Sequence, residues 1–289
     1  MGDLTATTGP GASTTEDMTE NRLGPSFHSD QVDDAGQREL LVGILDSQAA
    51  LPGVRRLRQW TLDALAVQPG DSALDIGSGT GSEVLALARL TGPDGDAVGV
   101  DPNPGMLTVA RERAAAAGIT ARFVAGNAYA LPFDDASFDV VRCERVYQHL
   151  DHPDRASAEI ARVLRPGGRA VVVDSDWSTT IIHPGDPEVV AAMTATSLSR
   201  AIHPHSGRML RGWLTAAGLA VDQVAADAVV WEPEGIRAMM PIGAEKAVAT
   251  GAITEAQRDR LLADLEAGMT AGDYHFSVTM FAVLARKPQ

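Results

Sequence analysis

Short apolar runs alternate with segments of helical periodicity over the middle of the chain. The segments 83–90 and 104–117 combine strong helix formers with apolar residues at helical spacing, and they predict helices. The short apolar runs between and around them are typical of buried strands. These runs lie at 72–74, 96–100, 123–125, 138–142 and 169–174.

The chain before these runs has a different pattern. Residues 1–25 are rich in Thr, Gly, Ser, Ala and acids, with no apolar block, so we expect a disordered tail that also lacks the apolar core of a signal peptide. Residues 26–68 become helical, with one apolar face that includes Leu41 and Leu45, and Pro52 interrupts the run. We expect two helices there, ending before the first strand.

The chain after the fifth run mixes helices with two more strands. We assign 69–178 and 209–232 to the core, with a helix at about 208–217 and a strand near 219–225. The segments 179–208 and 233–272 are helical insertions, and a last strand lies within 273–289. Insertions at the carboxyl edge of a sheet built from alternating strands and helices commonly select the substrate and exclude water. We therefore interpret both segments as lids.

A glycine-rich turn joins the first predicted strand to a helix. Its sequence is Asp75-Ile76-Gly77-Ser78-Gly79-Thr80-Gly81, and a turn of this kind directs backbone N–H groups from the positive end of a helix toward a ligand. A dinucleotide fingerprint needs its third glycine at the position of Ser82, whereas here it comes one residue earlier. The spacing therefore disfavours an NAD-dependent oxidoreductase, although an ordinary tight turn remains an alternative for the glycines alone.

A second acidic residue follows the second strand. Asp101 stands where a carboxylate can accept hydrogen bonds from the two ribose hydroxyls of a nucleoside. The alternative is that Asp101 caps the helix that begins near Pro104. Pro102 rigidifies this turn, and Met106 begins a helix whose side could cover an adenine ring.

These motifs resemble those of the class I S-adenosylmethionine-dependent methyltransferases. The first motif of that family has the form acidic-x-Gly-x-Gly-x-Gly, and further markers follow in the family's order between residues 73 and 174. The resemblance implies an α/β, Rossmann-like fold with a seven-stranded, mostly parallel sheet in the order 3-2-1-4-5-7-6. Helices would cover both faces, helical insertions would form a lid, and the helices of 26–68 would cover the site.

The resemblance also implies which residues bind S-adenosylmethionine. Asn127 stands where the family more often has an Asp that reads the adenine amino group, so the contact keeps an acceptor but loses a charge. The backbone at Cys143 and Glu144 would hold the methionine amino group, while the Cys143 side chain is more typical of a buried apolar residue than of a nucleophile. The full predicted set is Asp75, Gly77, Ser78, Gly79, Gly81, Asp101, Pro102, Met106, Asn127, Ala128, Cys143 and Glu144.

Three histidines are candidate general bases. A sulfonium methyl is already electrophilic, so a base is needed only when the acceptor must lose a proton. His149 follows the fourth strand and is the first candidate, although a histidine satisfied by the backbone is an alternative. His203 and His205, in the first insertion, come next. A metal ion held by these two with Asp176 is disfavoured by the spacing, and we predict no metal.

Five further residues are candidates for contact with the acceptor. Tyr147 could orient it or simply pack in the core. Asp176 and Trp177 could offer a carboxylate and an aromatic wall, with a helix cap and a core tryptophan as alternatives. Met239 and Met240 suit an apolar acceptor but are also typical of lid core.

Composition limits the partners. The 289 residues carry a formal net charge of −14, which disfavours binding to nucleic acid, and they include one cysteine, so no disulfide can form within the chain. No apolar run is long enough for a membrane span, so we expect a cytoplasmic protein that acts on a small molecule. A homo-oligomer is compatible with the sequence.

The predicted function is methyl transfer from S-adenosylmethionine to oxygen or carbon of a small, partly apolar acceptor. The motifs resemble those of the branch with ubiquinone/menaquinone C-methyltransferases and natural-product O-methyltransferases. The acidic tail and the His-rich insertion favour specialised metabolism. A cyclisation or pericyclic rearrangement on the same fold, without methyl transfer, is the alternative.

Overall fold

The strands form one mixed sheet in the order β3-β2-β1-β4-β5-β7-β6. β1 to β5 run parallel to one another, and β7 lies between β5 and β6 and runs antiparallel to both. The computed structural model describes residues 35–289, and the sheet confirms the predicted topology. The strands are β1 (Ser72–Ile76), β2 (Asp96–Asp101), β3 (Arg122–Ala125), β4 (Phe138–Glu144), β5 (Leu164–His183), β6 (Ala220–Val230) and β7 (His275–Arg286).

Helices cover both faces of the sheet because successive strand residues point to opposite sides. Ala73 of β1 belongs to the apolar cluster of α2, α3 and α4, whereas Leu74 belongs to the cluster of α5 and α7. The helices are α1 (Ala35–Ala50), α2 (Pro52–Leu65), α3 (Ser82–Thr91), α4 (Pro104–Ala116), α5 (Pro153–Val163), α6 (Pro187–Arg200), α7 (Ser206–Ala216), α8 (Pro233–Ala249) and α9 (Glu255–Ala271).

β5 is longer than the sequence predicted. It pairs with β7 from Arg169↔Arg286 to His183↔His275, with a register shift between Asp176 and Ile181. Residues 179–183, which we assigned to the first insertion, therefore belong to the strand. The antiparallel partner supplies hydrogen bonds that extend β5 past the ends of its parallel neighbours, and no local pattern in the sequence announces this.

The two insertions form a group of helices beside the extended part of β5. α8 contacts both α6 and α9, and α6 also contacts β5. Their buried apolar residues, among them Met193, Ile236 and Leu261, join the cluster on the α2 side of the sheet. From residue 35 onward, the expected helical segment 26–68 consists of α1 and α2. The expected tail, 1–25, lies outside the described residues.

Within residues 35–289, no helix combines the length and the apolar composition needed to cross a membrane.

Candidate cofactor and active site

The glycine turn lies between the carboxyl end of β1 and the first residue of α3. Gly77, Gly79 and Gly81 have φ values of +70°, +48° and +81°, in the left-handed region that favours glycine. A Cβ on Gly77 would stand 2.3 Å from Cγ2 of Val146, and one on Gly81 would stand 2.8 Å from Cβ of Ala110. The turn thus needs two of its glycines for close packing as well as for backbone conformation.

The turn is fastened to the end of β2. The backbone N–H groups of Gly77 and Ser78 donate to the carbonyl of Val100, at 2.8 and 3.0 Å. The Asp101 carboxylate accepts from the N–H of Gly79 at 2.8 Å and from the N–H of Asn103 at 2.8 Å. Burial raises the pKa of Asp101, against the opposing effect of these two hydrogen bonds. Asp101 therefore shapes the mouth of the turn.

Asn103, rather than Asp101, caps α4. Its side-chain oxygen accepts from the N–H groups of Gly105 and Met106 at 2.9 and 3.2 Å. The alternative interpretation of Asp101 as the helix cap is therefore wrong. Pro102, between the two acceptors, is exposed.

α1 lies over the open side of the glycine turn. Leu41 is fully buried and packs with Met106 of α4, together with Leu45. A Cβ placed on Gly79 would meet Cδ1 of Leu45 at 3.5 Å. The ion pair of Asp46 with Arg113, at 2.7 Å, fixes α1 to α4 further along. The structure thus brings α1 against Gly79 and Met106, which both belong to the predicted cofactor set.

Asn127 and Ala128 follow β3 at the same edge of the sheet. The Asn127 side-chain oxygen accepts from the N–H groups of Tyr129 and Ala130, at 2.9 and 3.1 Å, and the side chain is exposed. Ala128 is buried. This arrangement gives Asn127 a turn-forming role through its oxygen.

Buried charges meet where β1, β4, α2 and α3 come together. Arg142, in the middle of β4, contacts Asp75 at 3.4 Å and Glu83 at 3.2 Å, and it also contacts Glu144. Arg58 of α2 binds the same two glutamates, Glu83 at 2.9 Å and Glu144 at 2.8 Å. We call Asp75, Glu83, Glu144, Arg58 and Arg142 the charge cluster.

The charge cluster splits the pKa values of its acids. Burial raises the pKa of Asp75 to about 7, although Arg142 opposes the shift. Burial acts on Glu144 in the same sense, but the charges of Arg142 and Arg58 together hold its pKa well below the usual range. Burial also raises the pKa of the Cys143 thiol, so this side chain stays protonated and apolar in character.

Sequence reasoning missed Arg58, Glu83 and Arg142. One signal was present: Arg142 interrupts an apolar strand that is buried on both faces, and a buried guanidinium requires acidic partners. The identity of those partners depends on how α2 and α3 pack, which the strand pattern does not contain.

The residues after β4 form a short turn of 3-10 helix, Tyr147–His149. Tyr147 is fully buried, and its hydroxyl lies 2.9 Å from Oγ of Ser157. Its ring packs against Trp213 with 5.6 Å between centroids. The position of Tyr147 corresponds to packing in the core and does not support contact with an acceptor. His149 is half-buried at the end of this turn.

His203 and His205 lie just before α7, a helix that packs on the face of the sheet opposite α2 and α3. The His203 ring packs edge-on against Trp213. His205 Nδ1 lies 3.5 Å from an oxygen of Asp176, whose carboxylate also binds Arg208 and the hydroxyl of Ser178. Asp176 is fully buried, so it is occupied by these partners and is not open to an acceptor.

The remaining predicted acceptor contacts, Trp177, Met239 and Met240, differ in burial. Trp177 is half-buried, and its Nε1 donates to the side-chain oxygen of Gln148 at 2.7 Å. Met240 is buried in the apolar cluster of the insertion helices, and Met239 packs against that cluster. The two methionines therefore belong to the apolar core of the insertion helices.

The residues at the glycine turn suit S-adenosylmethionine. Oγ of Ser78 is buried without a hydrogen-bond partner among the described residues, and it packs over Gly99 of β2, where a Cβ would stand 2.7 Å from it. Asp101 lies beside Gly79, where a ribose would meet the turn. Among residues 35–289, no group of three or more His, Cys, Asp or Glu side chains is arranged to hold a metal ion.

Similar proteins agree with this geometry. Residues 74–172 match a family model described as a methyltransferase domain. The chain is 34% identical over 251 residues to an uncharacterized 37.1 kDa protein in transposon TN4556 of Streptomyces fradiae, covering 85% of this chain and 71% of that protein. It is 31% identical over 198 residues to the ubiquinone/menaquinone biosynthesis C-methyltransferase UbiE of Ectopseudomonas mendocina, covering 68% of this chain and 71% of the relative.

The fold is also found among solved structures. The crystal structure of YcgJ from Bacillus subtilis is similar with a TM-score of 0.57 at 22% identity, covering 81% of this chain and 99% of the other. At this identity the likeness shows the fold. Together with the glycine turn and the UbiE relative, it leads to one conclusion: the chain belongs to the class I methyltransferases, which use S-adenosylmethionine as their cofactor.

Proposed function

We propose that this methyltransferase transfers a methyl group to carbon or oxygen of a small, partly apolar acceptor. The observation that carries the proposal is the glycine turn at the carboxyl edge of the sheet, with the Asp101 carboxylate bound to the N–H of Gly79. The relative from Ectopseudomonas mendocina is named a ubiquinone/menaquinone biosynthesis C-methyltransferase, which supports an apolar acceptor.

We assign the cofactor-binding roles as follows. S-adenosylmethionine supplies an activated methyl group, so the chain's own task is to hold and align. Asp101 receives the ribose hydroxyls, and Gly79 leaves room for the backbone to approach. Asp75 provides the negative charge for the ammonium group. Met106, under Leu41 of α1, forms an apolar wall for the adenine ring, so that α1 acts as a cover.

His149 is the proposed base for an acceptor that must lose a proton. It ends the turn that follows β4, next to Gln148, whose backbone N–H donates to Asp174 at 2.9 Å. This contact fixes the turn against β5, just past the end of β4. His203 and His205 are less suited, because they pack toward α7 beside Trp213 and Asp176.

The test of His149 separates chemistry from binding. We expect His149→Ala to lower turnover by about 10²-fold or more, the low end for general-base catalysis, with the affinity for S-adenosylhomocysteine unchanged. His152→Ala, three residues away and exposed, is the matched control and should keep full turnover. Equal turnover of His149→Ala and wild type across several pH values would remove His149 from catalysis.

The helices α6, α8 and α9 are the proposed lid. They pack on one another beside the extended end of β5, and this location suits a wall that selects the acceptor. The His-rich segment before α7 belongs to the same edge. The acidic N-terminal segment and the His-rich segment favour a role in specialised metabolism, which we place in the cytoplasm.

Binding and product mass test the function. Calorimetry should show micromolar binding of S-adenosylhomocysteine and none of NAD. Acceptors incubated with S-adenosylmethionine should then gain the mass of one methylene unit. A rearranged product of unchanged mass would support cyclisation instead, and failure to bind S-adenosylhomocysteine would contradict the methyltransferase function.

A further inference from the structure

Arg142 stands at the centre of the charge cluster and is almost completely buried. Its side chain is 1% exposed, and Asp75 and Arg142 are direct neighbours in the pairing of β1 with β4. The described contact of Asp75 with this guanidinium, at 3.4 Å, is longer than the contact of Glu83 with it, at 3.2 Å. Asp75 therefore shares Arg142 with two glutamates.

The geometry points to a positioning role for Arg142. Resting on the proposed role of Asp75 toward the cofactor, we propose that Arg142 holds the Asp75 carboxylate at the edge of the sheet, where it binds the ammonium group of the cofactor. The guanidinium is itself anchored by Glu83 and Glu144, which leaves Asp75 free to exchange part of its contact for a ligand cation.

Arg58 is the member of the charge cluster that comes from the N-terminal helices. It lies in α2 and binds Glu83 at 2.9 Å and Glu144 at 2.8 Å, so each glutamate is shared by two guanidinium groups. Without Arg58, Arg142 alone would pair with both glutamates within the charge cluster. The guanidinium would then stabilise the ionised form of Asp75 less. Docking of α2 and the charge state of Asp75 are thereby coupled through Arg142.

The charged and titratable groups around Asp75 come from three elements. Arg142 and Glu144 face it from β4, Glu83 faces it from α3, and Arg58 of α2 pairs with both glutamates. Cys143 of β4 points to the opposite face of the sheet. Burial raises the pKa of Asp75 to about 7, so at pH 6 most of this carboxyl is protonated. An ammonium ligand favours the ionised form, so affinity should rise as the pH rises through 7.

The experiment measures the affinity for S-adenosylhomocysteine between pH 6 and pH 8.5 by calorimetry. For wild type, a single group with a pKa near 7 gives a rise of about tenfold from pH 6 to pH 8. Asp75→Asn should bind at least about tenfold more weakly at pH 8 and lose the pH dependence. Arg142→Met should move the midpoint of the rise to higher pH, and Arg142→Lys should restore it in part.

Arg58→Met provides a test that spares the strand. It removes one positive charge from the edge of the charge cluster, so the midpoint should again move to higher pH. Arg56→Met is the matched control on the same helix, because Arg56 is largely exposed and pairs with Asp227 of β6. It should leave both the affinity and the midpoint at the wild-type values.

The outcomes separate the inference from the function. A wild-type affinity that does not change with pH, a pH dependence that survives in Asp75→Asn, or an unmoved midpoint in both Arg142→Met and Arg58→Met would overturn the role of Arg142 while leaving cofactor binding in place. Failure of wild type to bind S-adenosylhomocysteine at any pH would instead refute the proposed function.

Discussion

The glycines of the turn differ in what they require. Gly79 faces only Leu45 at 3.5 Å, an ordinary contact, whereas Gly77 and Gly81 stand against neighbouring side chains at 2.3 and 2.8 Å from where a Cβ would lie. Gly77 is thus the point where the turn touches Val146, at the end of β4. A side chain there would push apart two of the strand ends that form the cofactor site.

Replacing Gly77 should therefore cost more than its backbone conformation alone. We expect Gly77→Ala to lower the free energy of unfolding by about 2–4 kcal/mol, as the sum of the cost of positive φ and of the clash with Val146. The affinity for S-adenosylhomocysteine should fall with it. Chemical denaturation and calorimetry measure the two effects.

Gly272→Ala is the control for the backbone term. Gly272 also has a positive φ, +75°, but nothing lies within 4 Å of its would-be Cβ. It should cost about 1 kcal/mol and leave affinity unchanged. If the two variants were equally stable, the close contact with Val146 would play no part.

α9 begins with a capping box that fixes one end of the insertion helices. The Thr254 hydroxyl accepts from the N–H of Gln257 at 3.2 Å, and the Gln257 side chain accepts from the N–H of Thr254 at 2.8 Å. These contacts satisfy backbone donors that the first turn of a helix leaves open. The start of α9 is therefore set by its own sequence.

Thr254→Ala tests whether α9 opens apart from the core. We expect the free energy of unfolding to fall by about 1 kcal/mol and hydrogen exchange to become faster in α9, with exchange in β1 unchanged. Thr270→Ala is the matched control, since Thr270 is exposed on the same helix and its hydroxyl donates within the helix. Equal acceleration of exchange in β1 would show that α9 and the core unfold as one unit.

Three buried aspartates among residues 35–289 have raised pKa values, Asp75, Asp101 and Asp174. Asp174 is fully buried and accepts from the N–H groups of Gln148 and Ser175, at 2.9 and 2.7 Å. Burial nevertheless raises its pKa from 3.8 to about 7. The folded state thus binds these protons more tightly than the unfolded state does, and their contribution to stability falls as the pH rises between those values.

The stability of Asp174→Asn relative to wild type should therefore increase as the pH rises. At pH 5 both proteins carry a neutral group at this position, whereas at pH 8 only wild type carries a buried charge. We expect the difference in Tm, mutant minus wild type, to increase by about 4 °C or more between these pH values. Asp75 is the same in both proteins and cancels, so a constant difference would contradict the raised pKa of Asp174.

Features that depend on neighbouring residues were predicted from the sequence, whereas features that depend on distant segments were not. The glycine turn, the position of Asp101 and the predicted strands between residues 72 and 174 depend on neighbours in sequence, and the sheet order implied by the family resemblance is confirmed. The length of β5 depends on β7, about a hundred residues away, and was underestimated. Tyr147 was proposed for the site and lies in the core, because α5 and α7 close over it.

The sequence by itself determined the glycine turn, because its three glycines and one acidic residue lie within seven consecutive positions, 75–81. The resemblance of this motif to a known family then indicated the family and the cofactor. Packing between distant segments established which acids share Arg142, that α1 lies against Gly79, and that Asp176 is occupied by Arg208. Burial and the distance between charges set the pKa values, and both quantities exist only once the helices have docked on the sheet.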